Sequence, residues 1–392
     1  MGITGIICEF NPFHNGHQLL IDKAKKLCPE NSIALIMSGN VVQRGELASF
    51  DKYTRASWGI RGGADIVFEL PAVFSNAYAM QFARGGVFLL SQIPQVTDLV
   101  FGSENGDIVH LQNFAEKLDN PDDKTNTAFR ELLELGQSYP KVLSDSLKKV
   151  AEDDLEEFQV NLLPNNILAI EYLRALKFFD SKITPHSVCR LSDAEKYMSA
   201  SDIREILKEN GDNSRLQPYV PPFTYDDLNK KTSQSDANDN LFRLLKFNLL
   251  SMSTPLSEIS EVTEGIENRF VKSLEKANNY EEYIHLVKTK RYTMAKIKRI
   301  LLSILLEKTK SIDKTAFDNI EYLKVLAVAA NKKELLSIDC PLTFITKSSD
   351  FSKLSEKSIP ILRIDKTADD LFNVCNNETT TTLFTHKMSV VD

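Results

Sequence analysis

GITGIICEFNPFHNGH (residues 2–17) passes from a run of apolar, largely β-branched residues into a polar turn that opens a helix. Ile3, Ile6 and Ile7 stand in a stretch without polar alternation, as expected of a strand covered on both faces. Leu19, Leu20, Ala24 and Leu27 then recur at helical spacing over 15–28. The same exchange repeats downstream. SIALIM (32–37), ADIVFEL (64–70) and VTDLVFG (96–102) read as strands, with helices over 51–62 and 78–92 between them. Such a βαβα succession requires parallel strands, right-handed crossovers and helices on both faces of the sheet. The fold class of this part of the chain is therefore α/β.

Beyond 104 the character changes. Residues 104–157 are polar and acidic, with helical stretches over 127–136 and 141–150, and read as an insertion. Pro164 opens a helix that runs to Phe179, its missing N–H being harmless in a first turn. SVCRL (187–191) is expected to be the last strand, and SDIREILKEN (201–210) a short helix with Gly211 as its C-cap. Residues 212–240, including YVPPFTY and KKTSQSDANDN, lack periodicity and read as a linker. Helical patterns over 241–252, 256–277, 279–287, 292–308 and about 316–329 predict a mainly α-helical domain over 241–392, ending in a polar, poorly ordered tail. The expected division is 1–211, 212–240 and 241–392.

The 392 residues are 42% hydrophobic and 26% charged, which argues against a disordered or fibrous protein. No run of about 18 apolar residues occurs, and the N-terminus lacks a leader's basic region and cleavage site, so a cytoplasmic location is expected. Five scattered cysteines (Cys8, Cys28, Cys189, Cys340, Cys375) form no CxxC pair, which disfavours a disulfide framework and a thiolate zinc site. The formal net charge of −7 argues against nucleic acid when taken whole. Taken by segment it does not. Residues 104–157 hold fourteen acidic and six basic side chains, a net of −8, while 288–310 hold eight basic side chains against Glu307, a net of +7.

The turn after the first strand carries the chemistry. His14, Gly16 and His17 stand where a parallel sheet binds ligands, beyond the carboxyl end of a strand and at a helix N-terminus suited to phosphate. Two imidazoles three residues apart can stabilise charge developing on a phosphate as pyrophosphate leaves. The plainer alternative is that they only cap the helix. The pattern H-x-G-H resembles the signature of the HxGH nucleotidyltransferase superfamily, whose members attack the α-phosphate of ATP. That superfamily's second motif, I-S-S-T-x-I-R, is similar to Met198-Ser199-Ala200-Ser201-Asp202-Ile203-Arg204, with Ala200 in place of a serine. Ser199, Ser201 and Arg204 would form a second phosphate cradle.

Longer segments resemble the tRNA(Met) cytidine acetate ligase family. They are GIICEFNPFHNGHQLLI (5–21), MSGNVVQRGELASFDKYTRA (37–56), GADIVFELPAVFSNAYAMQFARGG (63–86), FGSE (101–104), LPNNILAIEYLRAL (163–176), EGIENR (264–269) and KTKRYTMAKIKRILL (288–302). The resemblance implies a nucleotidyltransferase-like, Rossmann-like HUP domain that activates acetate as acetyl-adenylate and passes the acetyl group to N4 of the wobble cytidine (C34) of elongator tRNA(Met). It also implies a site. The segment Ile7, Cys8, Glu9, Phe10, Asn11, Pro12, Phe13, His14, Asn15, Gly16, His17, Gln18, Leu19 and Leu20 would wrap ATP, with His14, His17, Ser199, Ser201 and Arg204 at the reacting phosphates. Gly102, Asn165 (Asn166 being the neighbouring candidate) and Arg190 would complete it. Magnesium is expected to accompany the ATP phosphates, although no carboxylate cluster marks its place and no metal ligand is assigned to the chain.

In the loop after the second strand, Asn40 and Arg44 could orient acetate or the target base. Over 288–310 the apolar stripe of Ile297, Ile300, Leu301, Ile304 and Leu305 leaves a basic face. Lys288, Lys290, Arg291, Lys296, Lys298 and Arg299 could track the phosphates of the tRNA anticodon loop, with Tyr292 stacking on a base. Two other readings stand beside this one: a small-molecule adenylyltransferase of the coenzyme-biosynthesis type, and a non-catalytic tRNA-binding protein with a degenerate nucleotide pocket.

Overall fold

The computed structural model describes residues 2–104, 106–120, 163–189, 197–209, 213–230, 237–263, 265–378 and 387–392. The first part of the chain runs β1 (Ile3–Cys8), α1 (Asn15–Leu27), β2 (Ser32–Ser38), the hairpin β3 (Val41–Val42) and β4 (Glu46–Leu47), α2 (Lys52–Arg61), β5 (Ile66–Leu70), α3 (Ala72–Ser75), α4 (Ala79–Ser91), β6 (Val96–Ser103), α5 (Ile108–Asp119), α6 (Pro164–Phe178), β7 (Thr184–Cys189) and α7 (Ala200–Lys208). There follow α8 (Pro222–Lys230), α9 (Ala237–Ser251), α10 (Ile266–Leu274), α11 (Tyr280–Val287), α12 (Met294–Leu305), α13 (Lys310–Asn319), β8 (Tyr322–Ala329), β9 (Thr343–Ile345), α14 (Ile359–Cys375) and β10 (Ser389–Val391).

Strands β1, β2 and β5 are buried along their whole length, which is why their sequences show no alternation. Both faces of the sheet are apolar. On β2, Ala34 and Ile36 join one core while Ile33, Leu35 and Met37 join the other; on β1, Ile3 and Ile7 are divided from Ile6 in the same way. The strands β5-β2-β1-β6-β7 are parallel neighbours, with Ile3 opposite both Ser32 and Val96. The chain winds outward from β1 in one direction and then the other, so the gap between the carboxyl ends of β1 and β6 is the topological switch point.

The expected division of the chain does not describe this molecule. A helix over 316–329 is replaced by α13 and then β8, which lies antiparallel to β5 with Ile66 opposite Val328. β10 runs parallel to β8 on its outer side, so the tail expected to be poorly ordered supplies a strand, and β7 is not the last strand of the sheet. Strands β8, β9 and β10 from residues 241–392 are thus part of the same sheet as the strands of residues 1–211. The cause is burial. YLKVLAVA, Lys324 included, is buried at all but its final residue, and a run enclosed on every side has no polar alternation to separate a strand from an enclosed helix.

The expected linker also packs. Leu216, Val220 and Leu228 are buried, Phe223 meets Phe13, and Trp58 Nε1 donates to Asp227 at 2.9 Å. The helix expected over 256–277 shortens to α10, because Gly265 turns the chain at φ +90° just before it. The helices over 127–136 and 141–150, most of the acidic insertion, Gly211 and Arg190 lie outside the described residues. Among the described residues no helix is long and apolar enough to cross a membrane.

Candidate active site

The motif loop is shaped by its backbone. Between β1 and α1, Phe10 takes the left-handed φ of +50° and the Asn11–Pro12 peptide is cis. Phe10 and Phe13 are buried edge to face, 4.8 Å apart. Asn11 Oδ1 accepts the Ser49 N–H at 2.7 Å and ties the loop to the chain beyond the hairpin.

His14 is the N-cap of α1: its Nδ1 accepts the Gly16 N–H at 3.0 Å, and His17 Nδ1 accepts the His14 N–H at 3.3 Å. This reciprocal arrangement is a capping box made of two imidazoles, stacked with centroids 3.8 Å apart. Capping and chemistry therefore do not compete. A neutral ring whose Nδ1 accepts carries its proton on Nε2, which makes each histidine a directed donor. Both line a cavity of about 470 Å³ at the switch point.

A further part of the lining comes from α7 and its N-cap. Ser199 is its N-cap, accepting the Asp202 N–H at 3.2 Å, and Arg204 reaches back to donate to the Asn11 carbonyl at 2.7 Å and to Ser201 Oγ at 3.2 Å. Ala200 shares that part of the lining, so a methyl stands where the resembling motif has a hydroxyl. Ile7, Cys8, Glu9, Phe10, Asn11, Gly16, Leu19 and Leu20 also line the cavity. Pro12, Phe13, Asn15 and Gln18 do not. Phe13 is core, Asn15 donates to the Pro218 carbonyl at 2.8 Å, and Gln18 donates to the Gly62 carbonyl at 2.8 Å.

Gly102 faces open space at the end of β6, so a side chain there would enter the cavity. Of the two asparagines, Asn165 lines the cavity and donates to Glu104 at 3.0 Å, whereas Asn166 is fully buried and accepts the Glu104 N–H at 2.8 Å. The geometry separates Asn40 from Arg44 as well. Asn40 is buried, donating to Asp369 and accepting the Lys52 N–H, both at 2.9 Å, which makes it part of the scaffold. Arg44 stands exposed at the hairpin tip, lines the cavity and reaches Ser201 Oγ at 3.4 Å.

That scaffold was not evident from sequence. Lys52, wholly buried, bridges Glu69 and Asp369 at 2.7 Å each, joining α2, β5 and α14. Arg55, also buried, donates to the carbonyls of Glu9, Ser38, Phe50 and Gly39 and pins the loop behind the hairpin. Burial lowers the Arg55 pKa to about 10, which still leaves it charged at neutral pH. Lysine and arginine within a loop and a helix start look solvated in sequence; only three-dimensional packing reveals them as internal ties.

The basic stretch is the largest revision. Arg299 is buried and forms a two-point ion pair with Glu261 at 2.6 and 2.7 Å. Lys298 pairs with Glu46 at 2.5 Å, and Lys308 is buried against the Asn76 carbonyl at 2.7 Å. Tyr292 is buried, its hydroxyl 3.1 Å from Thr263, so it does not present a stacking face; Lys296 is half-buried over its ring. Lys288, Lys290 and Arg291 are exposed, on the loop between α11 and α12. Arg269 steadies that loop by donating to the carbonyls of Val287 (3.1 Å) and Leu286 (2.7 Å). Among the described residues one group has metal-ligand spacing, Cys28, Asp98 and His186; it is apart from the cavity, and His186 Nε2 and Asp98 Oδ1 are 2.6 Å apart, as in a hydrogen bond.

A switch-point cavity lined by the N-terminal turns of two helices, α1 and α7, suits a nucleotide and matches the arrangement expected of a nucleotidyltransferase. In agreement, the family model described as HIGH Nucleotidyl Transferase matches residues 1–387. Curated relatives called tRNA(Met) cytidine acetate ligase include one from Thermoanaerobacter sp. (strain X514), 38% identical over 90% of both chains, and one from Clostridium perfringens, 34% identical over 96% of both. The crystal structure of Thermotoga maritima TmcAL bound with alpha-thio ATP superposes over 100% of both chains, with a TM-score of 0.90 and 27% identity. The chain belongs to the tRNA(Met) cytidine acetate ligase family.

Proposed function

We propose that this chain is an ATP-dependent acetate ligase that makes acetyl-adenylate and acetylates N4 of the wobble cytidine (C34) of elongator tRNA(Met), yielding N4-acetylcytidine, AMP and pyrophosphate. The supporting observation is the cavity lined together by the imidazoles at the start of α1 and by Ser199, Ser201 and Arg204 at the start of α7. Its relatives' shared name and the nucleotide analogue bound by the Thermotoga maritima protein support the same reading.

In this reading an acetate oxygen attacks the α-phosphate of ATP and pyrophosphate leaves. The positive end of the α1 dipole, the Nε2 donors of His14 and His17, and Arg204 stabilise the charge that develops. Asn165 and Gly102 border the nucleotide, with Arg190 as a further expected contact, and Arg44 is placed to orient the acetate carboxylate. The chain's own nucleophiles take no part; positioning and charge do the chemistry. Among the described residues the donor set does not describe a resident magnesium site, because the carboxylates lining the cavity there are Glu9 and Glu46 and the latter is paired with Lys298. Magnesium would enter on the ATP phosphates. Lys288, Lys290 and Arg291 form the exposed cationic edge offered to tRNA, and the cytoplasm is where that substrate is met.

Incubation with ATP and labelled acetate, with and without elongator tRNA(Met), tests the assignment. Acetate-dependent pyrophosphate exchange without tRNA, and label in tRNA when it is present, are expected. Pyrophosphate release that requires a phosphopantetheine-like or nicotinate-like acceptor, or tRNA binding without ATP turnover, would oppose it.

A further inference from the structure

Glu9 is the first residue after β1 and lines the cavity where the motif loop meets the hairpin. Its Oε1 is anchored, accepting the Gln43 N–H at 2.7 Å and the Ser38 hydroxyl at 3.3 Å. Among the described residues no donor reaches Oε2. A carboxylate is a poor neighbour for triphosphate, since like charges a few ångströms apart repel even in a partly hydrated site. Adenylation by attack of an acetate oxygen moves no proton and needs no base there. Acetyl transfer does, because the attacking amine must lose a proton.

We propose that Glu9 is the general base of the transfer step and accepts the proton from N4 of the target cytidine. The assignment rests on the ligase reading above. The N4 lone pair attacks the acetyl carbonyl carbon of acetyl-adenylate. The bond between that carbon and the phosphate oxygen breaks, AMP leaves with the electron pair, and one N4 proton passes to the Glu9 carboxylate. The products are N4-acetylcytidine, AMP and neutral Glu9.

The surroundings suit a base. Burial raises the Glu9 carboxyl above its ordinary range, against the Gln43 N–H and the positive charges of Arg55 behind it and Arg44 on the hairpin. Cys8 and Tyr172, which also face it among the described residues, are both pushed up by burial and remain neutral. A carboxylate of raised basicity works closer to neutral pH, and an oxygen fixed to backbone needs no search for its position. Glu46, the other carboxylate among the described lining residues, is unsuited: its pairing with Lys298 outweighs its burial and lowers its pKa.

The test separates the two half-reactions. Glu9→Gln should slow single-turnover transfer from bound acetyl-adenylate to tRNA by at least about 100-fold, with a much smaller change, within about tenfold, in acetate-dependent pyrophosphate exchange. The acid limb of the wild-type transfer profile should vanish in Glu9→Gln, and added formate should restore part of the transfer rate to Glu9→Ala. Equal losses in exchange and transfer, or an unchanged acid limb, would overturn the assignment. If Glu9→Gln does not fold, Ser38→Ala carries the test: a several-fold loss confined to transfer supports the base, and a loss confined to exchange refutes it. Absence of acetate-dependent exchange in the wild-type protein sinks the ligase reading itself, and this role with it.

Discussion

Residues 7–20 and residues 288–310 both crowd polar side chains into a short span, yet they spend them differently. In the first, His14 and His17 use one ring nitrogen each on the start of α1 and still line the cavity. In the second, Lys298, Arg299 and Lys308 are taken up by Glu46, Glu261 and Asn76 and help join the hairpin and α12 to the rest of the molecule. An imidazole has two nitrogens that can serve two masters. A buried ammonium or guanidinium that satisfies an internal acceptor has little left to offer an external phosphate.

The contrast can be broken by mutation. His17→Ala should reduce acetate-dependent pyrophosphate exchange by about 10³-fold while leaving tRNA affinity within a few-fold, as filter binding would report. A large loss of tRNA binding would mean that the two regions are not functionally distinct. Arg299→Ala strands Glu261 and should cost about 3 kcal/mol of stability, read by denaturant titration; loss of tRNA affinity with unchanged stability would return Arg299 to the RNA surface. Lys298→Met releases Glu46 and loosens the tip that carries Arg44. We expect exchange to fall by about tenfold with tRNA affinity nearly unchanged, and the reverse pattern would make Lys298 a phosphate contact. The smallest effect is Arg291→Ala, for which affinity should drop several-fold and the slope of log affinity on log salt should shrink by roughly 0.7–1.

What could be read from the residues alone follows from how each signal is encoded. β1, α1 and the histidine pair were legible because strand, turn and helix stripe are local patterns, and the switch point follows from strand order. The hidden elements lacked a local mark. YLKVLAVA has no period because it is enclosed, and the packing of Leu216, Val220 and Leu228 gave no sign within a Pro- and Asn-rich stretch. Asn40 and Asn166 are the same residue type as their neighbours in function would be, yet their partners lie elsewhere in the chain. Counting Lys and Arg over 288–310 measured charge but not its availability. Glu9 was visible as a residue of the motif, whereas its anchor, the Gln43 N–H, depends on a hairpin tip thirty-odd residues away.

The position of β8 has a consequence for how this molecule can be taken apart. A fragment that stopped at residue 211 would contain the histidines, α7 and Arg204, and would look self-sufficient on paper. It would lack β8, and β5 would present an uncovered row of N–H and C=O groups along an apolar ribbon. Lys52 and Glu69 would lose Asp369, leaving buried charges with an incomplete set of partners behind the hairpin. Such a fragment should aggregate instead of reporting on half of a reaction, so dissecting this protein calls for point substitutions and not for scissors.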